Sequence, residues 1–365
     1  MGLSVFISVF VRARKLLPFS LCLLISTGVA ADELSRNQLE FYLIQSFSAS
    51  TAAERISLNH IGVEIEEVAG NFRVSASLEG YPAHAAGIER GDVILRVNDA
   101  GYHPVYSFNK DTDQSNKFIA DQSSYSLEIE RNGSTRTAEL TPVFENLYDS
   151  YRTAVENSLL KFSSGNKVIG YLRLWGFSRS TNDLIVLSNL MQEFGDCDGL
   201  ILDLRNSYGY LSNVHLDFFL ARPARLNVID ISTTQNSSSK DHVGLETIPL
   251  SQEIDYFTRP IAILINEETR GGGELLTYAL DGLERIMSIG QTSSGRIGQY
   301  TPASAESNSL LYVPEDNSLS YGDSEGKSIE NEGVTPEYFT DYPIDLSTRS
   351  DPQYESAVSF LLGTI

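Results

Sequence analysis

The residues best placed to do chemistry lie in Ile261–Glu274, IAILINEETRGGGE, which runs on into LLTYALDGL. The apolar run reads as a buried strand, the glycines as a turn and the remainder as a helix. Many hydrolases use such a strand–turn–helix to present a nucleophile at a helix N-terminus, where free N–H groups stabilise an oxyanion. Here the turn holds Gly271, Gly272 and Gly273, with no Ser, Cys or Thr after Thr269. The scaffold for acyl transfer is legible and its reactive atom is missing.

Other reactive side chains offer less. Ser293 and Ser294 are the best stand-in nucleophiles, but they sit in a loop with no evident Lys or His to activate them. Arg270 and Arg296 bring two positive charges toward the same region and would suit a peptide carboxylate or another anion. Glu274 opens the helix, where an acid suits the helix dipole. Asp203 and Arg205 end a buried strand and are expected to pair, and His215 is expected on a helix surface. The histidines are scattered and there is no CxxC or HExxH, so no metal and no cofactor is expected. Cys197 precedes a buried strand and reads as a small apolar filler.

These groups need elements to hold them. Asp32–Leu58 reads as helical. Residues 60–142 read as a small β-rich unit, in which Asn132-Gly133 joins two alternating segments as a hairpin. Residues 143–160 read as a linker with some helical character. From 161 to 365, strands NKVIGYLRL, GLILDLRN and PIAILIN alternate with helices at Asn182–Phe194 and Val214–Leu220, and a short helix, Gln353–Leu362, closes the chain. That alternation implies an α/β layer fold. Gln235–Lys240 reads as a loop tip.

The 365 residues allow one to three domains and a sizeable core. Residues 1–31 have the layout of a signal peptide: Arg12, Arg14 and Lys15, an apolar Leu16–Ile25, and the small-residue site Val29-Ala30-Ala31. The protein is therefore expected to be exported, periplasmic or extracellular, touching a membrane only through that segment if it is uncleaved. Its removal moves the formal charge from −21 to −24, which argues against nucleic acid and anionic membranes as partners.

Two resemblances sharpen this. Residues 61–99, with AAGIERGDVILRVND, resemble a PDZ domain of the bacterial protease type, and GVEI lies where such domains hold a peptide carboxylate. The resemblance implies that Ile61, Gly62, Val63, Glu64 and Ile65 line a groove for extended peptides or protein C-termini. Residues 161–345 resemble the C-terminal processing, or tail-specific, serine peptidases, which are related to the tricorn core. GYLRLWGFS, GLILDLRNSYGY, RPIAILINEETRGGGELLTYAL and GKSIENEGVTPE carry that likeness. The implied fold is a small β-rich PDZ domain followed by an α/β (α+β overall) core of the tricorn/crotonase-like type.

The departures fall on the chemistry. In that family the serine lies three residues before the helix-opening glutamate, which puts Gly271 at the nucleophile position. A general-base lysine lies 22 residues beyond the glutamate, which puts Arg296 at the base position and Tyr300 at the base-orienting position. The resemblance assigns oxyanion donors to Gly209 and Gly272. Glycine supplies no nucleophile, and arginine stays protonated at any working pH and cannot act as the base. The expectation is a catalytically impaired peptide binder. The alternative is an active serine endopeptidase using a displaced nucleophile.

Overall fold

The computed structural model describes residues 33–220, 228–230, 256–304, 308–313, 319–321, 329–344 and 350–365. The signal-like residues 1–31 and the loop tip 235–240 lie outside them.

The N-terminal part holds β1 (Glu33–Ser35), α1 (Leu39–Ser48) and β2 (Leu58–His60). A short helix and two strands replace the longer helix read over 32–58. Then come β3 (Val63–Val68), β4 (Asn71–Ser77), α2 (Pro82–Ala85), β5 (Val93–Val97), β6 (Ala100–Gly101), β7 (Tyr125–Arg131) and β8 (Ser134–Leu140). They form one antiparallel sheet in the order β3-β4-β5-β7-β8, with β6 beside β5 and β3 at the edge. Asn132 and Gly133 both have positive φ, 51° and 73°, the backbone a two-residue type I′ hairpin requires. Val74, Ile94, Leu127 and Ile129 point inward to give this sheet its own buried apolar cluster.

The stretch read as a linker is structured. β9 (Val143–Glu145) pairs with β2, and α3 (Leu147–Ser158) follows, capped by the Asn146 side chain on the Asp149 N–H. Leu147, Tyr151, Ala154 and Val155 recur at helical spacing and are all buried.

The core continues with β10 (Leu160–Ser164), β11 (Lys167–Arg173), β12 (Gly176–Phe177), α4 (Thr181–Glu193), β13 (Gly199–Asp203), β14 (Tyr208–Gly209), α5 (Asn213–Asp217), β15 (Val228–Asp230), β16 (Ile261–Ile265), α6 (Gly272–Leu280), β17 (Ile286–Gly290), β18 (Gln299–Pro302), β19 (Ser309–Val313), β20 (Leu319–Tyr321), β21 (Tyr338–Phe339) and α7 (Pro352–Thr364). Its main sheet runs β10-β11-β13-β16-β17-β21, parallel except at the β10–β11 edge. Strands covered on both faces should be apolar throughout, and every residue of β13 and β16 is buried. Ile201, Ala262 and Leu264 meet Ala357 and Leu361 of α7 on one face. Leu200, Leu202, Ile263 and Ile265 join the larger cluster that includes α3, α4 and α6 on the other. Cys197 is buried, as read from the sequence.

Candidate functional site

The turn between β16 and α6 is tied on both sides. Thr269 Oγ1 donates to the Leu204 carbonyl at 3.0 Å, and the Arg270 N–H donates to the Ser207 carbonyl at 3.0 Å. On the other side the Gly271 N–H reaches the Arg296 carbonyl at 3.1 Å and the Ser294 N–H reaches the Thr269 carbonyl at 3.1 Å. Gly209, Gly271, Gly272 and Arg296, separated by nearly ninety residues of sequence, thus share one locus.

Gly271 has φ 54° and ψ −111°, the sharp strand-to-helix turn of a nucleophile elbow, but with no side chain. Its surroundings leave little room for one. A Cβ built there would lie 2.6 Å from the Gly209 carbonyl oxygen, while the Gly209 nitrogen would be 3.8 Å away. Gly209 therefore turns its carbonyl, rather than its N–H, toward Gly271. A Cβ on Gly272 would meet the Phe177 ring at 2.7 Å, and one on Gly273 would meet Ser207 Oγ at 2.1 Å. The glycine run is what lets α6 dock this closely. The Tyr210 N–H is already bonded to the Phe177 carbonyl at 2.9 Å. Among the described residues the Gly272 N–H donates in none of the turn's backbone bonds.

Glu274 does more than suit the helix dipole. Its side chain is fully buried and accepts from Ser293 Oγ (2.7 Å) and from the N–H groups of Gly295 (2.5 Å), Arg296 (3.1 Å) and Gly271 (3.2 Å). Burial pushes its pKa up to about 7 against the pull of those donors. Ser293 Oγ also accepts from the Val334 N–H at 2.7 Å, so its hydroxyl is engaged on both sides in holding the loop. Ser294 Oγ accepts from the Arg296 N–H at 3.2 Å.

Arg270 is 2% exposed and its Nη1 bonds Glu40 Oε1, from the first turn of α1. Arg296 Nη1 lies 3.6 Å from the same oxygen. The sequence located these two charges correctly but gave no sign of Glu40, more than 200 residues away. Arg270 also stands over the Tyr208 ring at 5.4 Å. Tyr300, which the resemblance assigns to orienting the base, is buried on β18 with its ring against Tyr312.

A cavity of about 370 Å³ joins this locus to edge strand β3, lined among others by Glu40, Glu64, Glu67, Glu268 and Arg270. Acids outnumber arginines in that lining, so the cavity is not the simple cationic pocket the two arginines suggested. Burial pushes Glu64 up to about 8, despite the opposing charge of Arg270, and Tyr151 donates its hydroxyl to that carboxylate. Of the remaining groove residues, Ile61 and Val63 are buried and Ile65 is half-buried. The Gly62 N–H donates to His60 Nδ1 at 3.1 Å. Burial lowers His60 to about 3, so the ring is neutral and Nδ1 is free to accept.

Asp203 and Arg205 form the expected pair at 2.6 Å, joined by Asp351 at 2.7 Å. His215 is buried rather than on a helix surface; its Nδ1 accepts from the Ser212 N–H at 3.0 Å. Among the described residues no group of three or more His, Cys, Asp or Glu is arranged to hold a metal ion. Nor is any described helix long and apolar enough to cross a membrane.

A parallel sheet covered on both faces, with a glycine-rich strand-to-helix elbow at the carboxyl end of a central strand, is an α/β scaffold of hydrolase type. Residues 168–339 match peptidase family S41, and the chain is similar to carboxyl-terminal-processing proteases. A carboxyl-terminal-processing protease of Synechocystis is 23% identical over 312 residues, covering 83% of this chain and 68% of that protein. Another, from Picosynechococcus, is 28% identical over 262 residues, 69% of this chain and 57% of that protein. The chain thus spans between 57% and 68% of the length of these two relatives. A solved Bacteroides fragilis chain described as an S41 protease superposes with a TM-score of 0.53 at 16% identity, over 93% of this chain and 87% of that one. That likeness speaks to the fold alone.

Proposed function

We propose that this chain is an exported, catalytically silent S41 relative that binds extended peptide segments or protein C-termini along β3 and the cavity that reaches Arg270. The observation that carries the reading is Gly271 itself: no side chain at the elbow, and a carbonyl where a side chain would go. The N-terminal sheet acts as the PDZ domain, adding a peptide as an extra strand at its free edge. Its separate apolar core and the position of Ile61–Ile65 at edge strand β3 support this. The signal-like N-terminus supports export. A binder of this kind serves as an adaptor, a decoy or a regulator of an active relative.

The displaced-nucleophile alternative draws no support from the loop geometry, because Ser293 is occupied by Glu274 and Val334. The test uses residues 32–365 with unfolded casein and a C-terminally tagged peptide, alongside a labelled fluorophosphonate. The expected result is saturable peptide binding with neither cleavage nor labelling. Cleavage that fluorophosphonate blocks would overturn the reading.

A further inference from the structure

We propose that Arg270 and Arg296 form a carboxylate-binding site that Glu40 fills in the resting protein, and that a peptide carboxylate takes the place of Glu40 when the Glu40 side chain swings aside. The ligand class is a carboxylate, supplied by a chain terminus or by an Asp or Glu side chain. The inference rests on the peptide-binding reading of the same cavity.

Three features of the geometry point this way. Arg270 is a fixed donor: it is buried, its own N–H is bonded to Ser207, and its guanidinium stands over Tyr208. One carboxylate oxygen already sits between the two arginines, bonded to Arg270 and 3.6 Å from Arg296, so the site is demonstrably shaped for that group. The Nε of Arg270 is buried and has no hydrogen-bond partner among the described residues. The Glu40 contact, made through Nη1, therefore leaves the guanidinium incompletely satisfied.

Charge decides how a ligand enters. Glu40 already occupies the position between the two arginines, so a further carboxylate meets a filled site. It must replace Glu40, an exchange that leaves local charge unchanged. Glu40 lies in the first turn of α1, where its charge is favourable to the helix N-terminus without the arginines. The side chain is 28% exposed, and Glu40 and Arg270 both line the cavity that runs to β3. A peptide paired to β3 would therefore reach Arg270. The PDZ-type loop competes poorly for the same group, since the Gly62 N–H is already bonded to His60.

The test compares wild type, Glu40→Ala, Glu40→Gln and the double variant Glu40→Ala/Arg270→Met in residues 32–365. The probes are a fluorescein-labelled decapeptide with a free C-terminal carboxylate, its C-terminal amide, and an amide carrying one internal Glu. Thermal unfolding is followed in sodium acetate and in sodium chloride at equal ionic strength. Removing Glu40 should tighten binding of the free acid by about tenfold, a 1.4 kcal/mol change, with the plain amide unaffected and the gain absent in the double variant. Acetate, but not chloride, should raise the unfolding temperature of Glu40→Ala, as a ligand bound only to the folded state must. Glu40→Gln, which keeps a hydrogen-bond acceptor, provides the same comparison if the alanine variant folds poorly. A gain for the internal-Glu amide as well would support the site and assign it to side-chain carboxylates too. Equal binding of acid and amide, with acetate acting like chloride, would overturn the inference. If no peptide binds any variant yet acetate still stabilises Glu40→Ala, the peptide reading falls and the carboxylate site stands.

Discussion

Placing a Cβ on residue 271 should cost this protein more than backbone strain alone. Gly271 has φ 54° and ψ −111°, a region that charges a non-glycine residue about 1–3 kcal/mol. The added carbon must also move from 2.6 Å to at least 3.4 Å from the Gly209 carbonyl oxygen, and such forced repacking costs about 1–3 kcal/mol more. Gly271→Ala should therefore lose about 2–6 kcal/mol in urea unfolding. Gly282→Ala isolates the first contribution, because Gly282 has φ 73° with nothing within 4 Å of its Cβ position; about 1 kcal/mol is expected there. Gly271→Ser carries the same Cβ and should be comparably destabilised, still inert toward casein and unlabelled by fluorophosphonate. Equal losses at 271 and 282 would refute the carbonyl argument. A serine variant that is as stable as wild type and cleaves casein would refute the claim that the elbow has closed around glycine.

Glu64 binds its proton more tightly folded than unfolded, with a folded pKa of about 8 set mainly by burial. The native state then holds more protons than the unfolded one between the ordinary carboxylate range and pH 8, so stability falls as pH rises through that window. Glu64→Gln should flatten that dependence in denaturation curves from pH 5 to 9. Asp203 is the opposite case: burial raises it, but Arg205 and Arg173 outweigh burial and hold it near 2. Its contribution is present above the ordinary Asp range and lost as pH falls toward 2. Asp203→Asn leaves Arg205 buried with half its partners and should cost about 3–5 kcal/mol in urea unfolding. Ser293→Ala removes the bonds to Glu274 and Val334 and should cost about 1–3 kcal/mol, with fluorophosphonate labelling unchanged at background.

Local signals carried much of the architecture. Asn132-Gly133 needs positive φ at both residues, and the hairpin forms there. The apolar runs of β13 and β16 announced strands buried on both faces, and the alternation of strand and helix announced the layers. In 143–160 polar residues obscure a stripe that only packing reveals: Tyr151, Ala154 and Val155 lie in a helix packed against α1, β11 and β12. His215 looked like a surface residue because five-residue α5 is too short for periodicity to show which face is covered.

The sequence by itself determined that residue 271 carries no side chain and residue 296 no neutral base. A nucleophile is a covalent fact about one residue, and Gly271 cannot acquire one from any neighbour; likewise Arg296 cannot surrender its proton. What fills the site was decided by tertiary structure alone. The Gly209 carbonyl facing Gly271, the four donors on Glu274 and the Glu40 carboxylate between Arg270 and Arg296 join segments far apart in the chain. No local propensity encodes such meetings, because their energies depend on distance and burial that exist only once the sheet has brought its loops together.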